Sequence, residues 1–215
     1  VSNMVAEVVA AFGTAEQRSE HVPKLCSGEY IVGGFALSET GAGSDPGGMT
    51  TRARKTDRGW VIDGSKLWIT SGTHAGLFVV WARTSDKPGP RGISAFLVRG
   101  DTPGLTRGKP EEKLGQHGST TTALEFDGCE VPDEALLGEI DRGFPVAMMA
   151  LDGGRIGIAS LALGVGLALA QGHVAGALGL AVQAARQWDE RHRLAVVAHV
   201  QRAERAQEFP ALPAG

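Results

Sequence analysis

The stretch FALSETGAGSD, from Phe35 to Asp45, gives the strongest indication of fold and function. An apolar run leads directly into a glycine loop, as where a β-strand carries a loop to a ligand. The glycines allow a ligand to approach backbone N–H groups closely, and Ser44 adds a hydroxyl. Pro46 replaces the last glycine of G-x-G-x-x-G and no helical pattern follows in register, which excludes a Rossmann dinucleotide site. Taken alone, such a loop is more often an ordinary turn than a phosphate site.

Short runs rich in β-branched and aromatic residues extend from residue 31 to about residue 131. Six of them are predicted to be strands: Ile31–Leu37, Thr50–Lys55, Trp60–Ile62, Phe78–Thr84, Ile93–Val98 and Thr121–Phe126. Turn residues separate these runs at Asp57–Gly59, Asp63–Gly64 and Lys87–Pro90. This spacing of strands and turns predicts an antiparallel β-barrel or sandwich.

Helical patterns flank the strands, so the predicted fold class is α+β. Met4–Phe12 and Glu16–Leu25 precede the strands, and a helical pattern resumes near Phe144. We predict three parts: the end of an N-terminal helical domain at 1–28, a middle β-barrel domain at 29–134, and a partial C-terminal helical domain with an atypical tail at 135–215. Because the first residue is Val1 and not methionine, we expect further chain before it.

The segment from Ile156 to Ala185 carries no formal charge and is long enough to cross a bilayer. Its glycines, together with Gln171, His173 and Gln183, favour a buried bundle helix instead, so we expect no membrane partner. The chain from residue 186 to residue 208 is rich in Arg, Ala, Glu and Gln, which is typical of a solvated helix face.

The composition excludes several other classes of protein. The 31 glycines follow no G-X-Y period, which excludes a collagen-like chain. The net charge of −3 provides no basic face for nucleic acid. Cys26 and Cys129 fit no metal-ligand spacing and are too few for a disulfide framework. We therefore expect no metal site and a reduced, cytoplasmic location.

A second cluster, KLWITSG from Lys66 to Gly72, changes the interpretation of the glycine loop. Together the two clusters resemble the acyl-CoA dehydrogenase family, whose members carry Y/F-x-L-T-E-P-x-A-G-S-D followed by K-x-W-I-T-N. Thr40 replaces the usual proline and Ser71 the usual asparagine. Further matches follow in the same order: Gly92–Val98, Glu112–Gly115, Phe126, Val131-Pro132, Leu136–Gly138 and Asp152–Ile156. The resemblance is collinear from about residue 12 to residue 166.

The resemblance implies that the β-barrel domain binds FAD. The implied cofactor-binding residues are Phe35, Ala36, Leu37, Ser38, Gly43, Ser44, Trp68, Ile69 and Thr70. Within this set, the Leu37 backbone and the Ser38 hydroxyl serve the pyrimidine edge of the flavin, Trp68 shields the ring, and Thr70 meets N5. The implied acyl-CoA contacts are Ser44, Asp152 and Arg155.

The resemblance also implies the reaction, which is α,β-dehydrogenation of an acyl-CoA thioester. A carboxylate removes the α-proton while the β-hydride passes to the flavin, and electrons leave through an electron-transferring flavoprotein. Full-length members form homo-oligomers, either dimers or tetramers. Most members place the catalytic glutamate beyond the end of this chain, and isovaleryl-type members place it where Gly154 stands. We therefore expect a fragment without the catalytic glutamate, and a changed reading frame would also account for the tail after about Ala185.

Three other functions stay open at this stage. A flavin monooxygenase or nitroalkane-oxidising relative would share the barrel, although Asp152 and Arg155 favour acyl-CoA. A non-catalytic flavin- or acyl-CoA-binding remnant would account for the absent base. The last alternative is a β-barrel with flanking helices and no ligand.

Overall fold

The computed structural model describes residues 1–170 of the chain. Two compact units divide the chain, Val1–Gly157 and Ile158–Gly215, and the described part of the second is residues 158–170. The predictions for the tail from residue 186 to residue 208, and for the predicted C-terminal part beyond residue 170, lie outside the described residues.

Two helices open the chain, as predicted: α1 (Ser2–Phe12) and α2 (Ala15–Ser27). Thr14 starts α2 with a reciprocal capping box, since its hydroxyl accepts from the Gln17 N–H and the Gln17 side chain accepts from the Thr14 N–H. Gly28 ends α2 in the left-handed conformation, with φ of 81°. The Gln17 amide also donates to two backbone carbonyls, which joins α2 to the β-sheet unit.

Eight strands follow: β1 (Val32–Ala36), β2 (Arg52–Thr56), β3 (Gly59–Thr70), β4 (Ala75–Arg83), β5 (Ile93–Arg99), β6 (Leu105–Arg107), β7 (Thr121–Val131) and β8 (Leu136–Leu137). They form one sheet in the order β6-β7-β3-β2-β4-β5-β8, with β1 added alongside β4. The α+β class is confirmed. The sheet is mixed rather than wholly antiparallel, because β4 pairs in parallel with both β1 and β2. The short strands β6 and β8 were not predicted.

One predicted turn is wrong. Asp63-Gly64 lies inside β3, which is a single strand of 12 residues rather than the short run Trp60–Ile62. Gly64 has φ of 139°, and a Cβ there would lie 2.7 Å from the Thr51 side chain. The glycine is therefore required for a close approach between neighbouring backbones, which gives the same sequence signal as a turn.

The core has two layers, one on each face of the sheet. Side chains alternate along β4, so that Leu77, Val79 and Trp81 pack with α1 and the first turns of the last helix. Phe78 and Val80 pack in the second layer with residues of β3, β5 and β7. Because β4 is buried on both faces, its sequence is a continuous apolar run rather than an alternating one.

The last described helix, α3 (Gly143–Ala170), begins close to the predicted position. Trp81 anchors its start by donating from Nε1 to the Gly143 carbonyl at 2.7 Å. Val146 and Ala150 are buried, whereas Ile156 is 71% exposed and Leu163 is 54% exposed. Gly143–Leu169 is long and apolar enough to cross a membrane, but core helices of soluble proteins share those properties. The bundle-helix interpretation stays a prediction.

Candidate functional site

The structure brings the two sequence clusters together. The Leu67 N–H donates to the Ser38 carbonyl at 2.9 Å. The Lys66 ammonium donates to the carbonyl of Leu37 at 3.1 Å. The chain that leaves β1 is therefore fixed to the second half of β3, although the contacting residues Leu37 and Lys66 are 29 positions apart in the sequence.

A buried ion pair lies at this junction. Lys66 Nζ is 2.8 Å from Glu39 Oε1, and the two side chains are 0% and 6% exposed. Glu39 also accepts hydrogen bonds from the Thr50 N–H, the Thr50 hydroxyl and the Thr51 N–H, at 2.6, 2.8 and 3.0 Å. The carboxylate thus connects the glycine loop, the segment before β2, and β3 through charge-assisted hydrogen bonds.

Both members of the pair are ionised at neutral pH. Burial by itself raises the pKa of Glu39, but the Lys66 charge and the hydrogen bonds from Lys66, Thr50 and Thr51 outweigh it and lower the pKa to about 2. Burial lowers the pKa of Lys66 to about 8, while the Glu39 charge opposes that change. An ionised pair shielded from bulk water needs this dense set of partners, because desolvation is costly.

Trp68 projects outward from the end of β3. The pairing of β3 with β7 is irregular between Lys66 and Ile69, and Trp68 has φ of 61°. This bulge leaves Ile69 in the core and Trp68 64% exposed. A flat apolar side chain held outward by a strained backbone is suited to covering an aromatic ligand.

The remaining residues of the predicted cofactor set fall into two groups. Ala36, Leu37 and Ile69 are buried, and the centroids of the Phe35 and Trp81 rings are 4.4 Å apart. These four residues of the predicted set can therefore contact a ligand chiefly through their backbone atoms. Ser38 and Thr70 are half-buried, and Gly43 and Ser44 are exposed. Within residues 1–170, the hydroxyls of Ser38, Ser44 and Thr70 make no hydrogen bond to protein.

The glycine loop is tightly closed at its base and open at its tip. Glu39 and Ala42 exchange backbone hydrogen bonds of 3.1 and 3.2 Å. A Cβ at Gly41 or Gly43 would meet no atom within 4 Å, and neither residue has positive φ. The described part of the chain therefore does not itself require glycine at these two positions. A bound molecule that approaches the backbone closely would require it.

The predicted acyl-CoA contacts on α3 are exposed. Arg155 and Asp152 form an ion pair with each other, and their side chains are 72% and 75% exposed. Gly154 faces α1, where a Cβ would lie 3.0 Å from the end of the Met4 side chain. The structure thus gives this glycine a packing role against α1.

A cavity of about 630 Å³ lies elsewhere in the first unit. It is lined by α2, by parts of β4 and β5 and by residues 130–136, and it contains none of the predicted site residues. Among residues 1–170, no three His, Cys, Asp or Glu side chains are grouped to hold a metal ion.

Sequence reasoning missed the buried partners of Glu39, which are Lys66, Thr50 and Thr51. One signal was present in the sequence. Lys66 follows Ile62 and Gly64 at a spacing of two along β3, which is the register of the inward-facing side chains. A lysine at an inward position requires a buried partner, and Glu39 stands in the other cluster.

Known proteins are similar to this chain over the same region. Residues 34–129 match the family model described as acyl-CoA dehydrogenase, middle domain. The mitochondrial short-chain specific acyl-CoA dehydrogenase of Mus musculus is 49% identical over 157 residues, which are 73% of this chain and 38% of that protein. The chain spans about two fifths of the length of the curated relatives it matches.

Solved structures agree with the sequence relatives. Butyryl-CoA dehydrogenase from Megasphaera elsdenii superposes with a TM-score of 0.73 at 44% identity, over 75% of this chain and 42% of that one. A glutaryl-CoA dehydrogenase from Mycobacterium smegmatis, solved in complex with FADH2, gives a TM-score of 0.65 at 36% identity, over 72% and 38% of the two chains.

Proposed function

This chain belongs to the acyl-CoA dehydrogenase family through its middle domain, and from that premise we propose that it binds FAD for the dehydrogenation of an acyl-CoA thioester. The observation that carries the proposal is the hydrogen bond between Leu67 and Ser38, which unites the two matched motifs. Each motif alone has an ordinary structural explanation. Joined, they present two hydroxyls, an outward tryptophan and an open glycine loop on neighbouring segments.

The residues at the junction fit a flavin. The Ser38 and Thr70 hydroxyls have no protein partner among the described residues, so both are available to a ligand rich in acceptors and donors. Ser38 would serve the pyrimidine edge and Thr70 the N5 position, and Trp68 would cover the ring. FAD, when bound, accepts the hydride, and the protein binds, orients and tunes it.

The exposed residues of the loop and of α3 fit the substrate. Ser44 can donate to an acyl-CoA, and Arg155 can exchange Asp152 for a phosphate oxygen because the pair is open to water. We assign no base to residues 1–170, because Gly154 stands at the isovaleryl-type position. The proposal includes an electron-transferring flavoprotein as electron acceptor, a homo-oligomer, and a cytoplasmic location consistent with two free thiols.

The proposal is tested with purified protein and FAD. We expect a visible flavin spectrum that remains after gel filtration, and a colourless protein that does not quench FAD fluorescence would overturn the cofactor assignment. Anaerobic addition of a panel of acyl-CoAs then tests the substrate class, with bleaching of the flavin band as the signal. A flavin bleached by nitroalkanes but by no acyl-CoA would favour the oxidase relative.

The role of position 154 is tested with Gly154→Glu. A positioned general base contributes about 10²- to 10⁴-fold, so we expect slow bleaching in the wild type and faster bleaching in the variant. Met4 is the end of a flexible side chain and can move aside for the new Cβ. Rapid bleaching by the wild-type chain would show that another carboxylate acts as the base, with Glu39 and Asp152 the first to substitute.

A further inference from the structure

The Lys66 ammonium contacts the peptide group that joins Leu37 to Ser38. Its Nζ lies 3.1 Å from the Leu37 carbonyl oxygen, and the side chain is completely buried. Its other contacts are Glu39 Oε1 at 2.8 Å and Met49 Sδ at 3.8 Å. The charged ammonium group of this lysine therefore donates a hydrogen bond directly to the peptide group between Leu37 and Ser38.

The other end of that peptide group is the Ser38 N–H. All described peptide bonds are trans, so the N–H points away from the carbonyl and hence away from Lys66. The Ser38 N–H has no hydrogen-bond partner in the part of the chain that the structure describes. Ser38 is half-buried, so its N–H is available to an acceptor that lies outside residues 1–170, such as a bound ligand.

We propose that Lys66 strengthens the Ser38 N–H as a hydrogen-bond donor to the bound flavin and thereby raises the reduction potential of the flavin. This inference rests on the function proposed above, which places the pyrimidine edge at Ser38. A cation on the carbonyl draws electron density from the peptide nitrogen, and hydrogen bonds in such a chain polarise one another. The effect is larger in a buried site, because the effective dielectric constant is low.

The sign of the effect follows from the charge balance of flavin reduction. Two electrons and one proton leave one additional negative charge on the ring, and that charge is concentrated toward the pyrimidine edge. A stronger donor there stabilises the reduced flavin more than the oxidised flavin. Lys66 is thus a positioning residue that acts through a peptide group rather than by direct contact.

Glu39 does not cancel this effect. The carboxylate accepts from the Thr50 N–H, the Thr50 hydroxyl and the Thr51 N–H as well as from Lys66, so its charge is shared among several donors. The ammonium keeps one of its hydrogens on the Leu37 carbonyl. Glu39 holds the lysine charged, and the lysine polarises the peptide group.

The experiment compares the FAD-loaded wild type with Lys66→Met/Glu39→Gln. Removal of both charges avoids an unpaired buried charge. The midpoint potential is measured by equilibrium titration with dithionite against a reference dye. We expect the ratio of reduced to oxidised flavin affinity to fall about tenfold, which equals about 30 mV for a two-electron couple.

The matched control is Lys55→Met/Asp133→Asn. Lys55 also bridges a carboxylate, at 2.9 Å, and a backbone carbonyl, at 2.8 Å, but that carbonyl belongs to Thr56. The potential of this variant should equal that of the wild type. If Lys66→Met/Glu39→Gln fails to fold, Lys66→Gln/Glu39→Gln also removes both charges but keeps two side chains that can hydrogen-bond to each other, and the same fall in potential is expected.

The outcomes separate the two proposals. Wild-type protein that binds no FAD overturns the proposed function and this inference with it. Protein that binds FAD with the same potential in the wild type and in Lys66→Met/Glu39→Gln overturns the inference alone. An equal fall in the potential of the Lys55→Met/Asp133→Asn control overturns it as well, because the effect would then not depend on the Ser38 peptide group.

Discussion

Two acid–base pairs lie in segments that match the family, and they differ almost completely in their surroundings. Lys66 and Glu39 are buried in the β-sheet unit, whereas Arg155 and Asp152 are both more than two-thirds exposed on α3. The buried pair is shielded from bulk water, which therefore does not replace a lost partner, and the pair fixes the backbone around it. The exposed pair can exchange partners freely. Similar charges are thus held in one arrangement in the sheet and are free to change partners on α3.

The largest expected effect is loss of one member of the buried pair. Lys66→Met should destabilise the protein by about 3–5 kcal/mol, because Glu39 is left as an uncompensated buried charge. Lys66→Met/Glu39→Gln should recover most of that loss, since neither side chain then needs an ionic partner. Urea unfolding of wild type, single and double variants measures the difference. A single variant as stable as the double variant would show that water reaches the site.

Acid should break the buried pair in the wild type. The pKa of Glu39 is lowered from 4.5 to about 2, so its contribution to stability is complete above pH 4.5 and is lost as the pH falls toward 2. The loss should be on the order of 3 kcal/mol. It is measured as the unfolding free energy across that range. In Lys66→Met/Glu39→Gln the unfolding free energy should depend less on pH than in the wild type. An equal dependence on pH in the two proteins would assign the acid sensitivity to other carboxylates.

The Ser38 and Thr70 hydroxyls, which we propose to face the flavin, should affect FAD binding and not folding. Each neutral hydrogen bond contributes about 0.5–1.5 kcal/mol, so Ser38→Ala/Thr70→Val should weaken the binding of FAD roughly tenfold or more. Stability should change little, because neither hydroxyl bonds to protein within the described residues. FAD titration followed by fluorescence measures the affinity, with Ser19→Ala/Thr106→Val as the control. Unchanged affinity in the first variant would show that the flavin lies elsewhere.

The contrast between the pairs also shows what the sequence could predict. All six predicted strands exist, because runs of β-branched and aromatic residues fit the pleated, half-buried surface of a sheet. β3 was predicted too short, since Asp63-Gly64 signals a turn as strongly as it signals a close backbone approach. β6 and β8 have three and two residues, too few for a periodic pattern. The parallel pairing of β1 with β4 depends on contacts between distant segments.

The candidate site was predictable only in outline. The resemblance located Ser38, Trp68 and Thr70, but side-chain burial separates residues that can meet a ligand from Ile69, which packs in the core. The partnership of Lys66 with Glu39 spans 27 residues and joins two motifs that sequence reasoning combined by their resemblance to a family, without predicting a contact between them. The opposite surroundings of the two ion pairs could not be inferred from residue type, because burial is a property of the fold.

The smallest expected effect concerns the exposed pair. Asp152→Asn and Arg155→Gln should each change stability by less than about 0.5 kcal/mol, because an exposed pair three residues apart on a helix gains little over hydration. Arg155→Gln should nevertheless weaken the binding of acyl-CoA by about threefold. Added salt screens the charge and should reduce the difference in affinity between this variant and the wild type. Asp152→Asn frees the arginine but also removes a predicted acyl-CoA contact, so we expect a smaller change in acyl-CoA affinity than for Arg155→Gln. Calorimetric titration of the FAD-loaded protein with an acyl-CoA, at low and high salt, measures both variants. A large loss of stability in either variant would contradict this prediction and would show that the pair stabilises α3, as Lys66 and Glu39 stabilise the sheet. A loss of acyl-CoA affinity that is the same at low and high salt would contradict a direct contact between Arg155 and a charged group of the ligand.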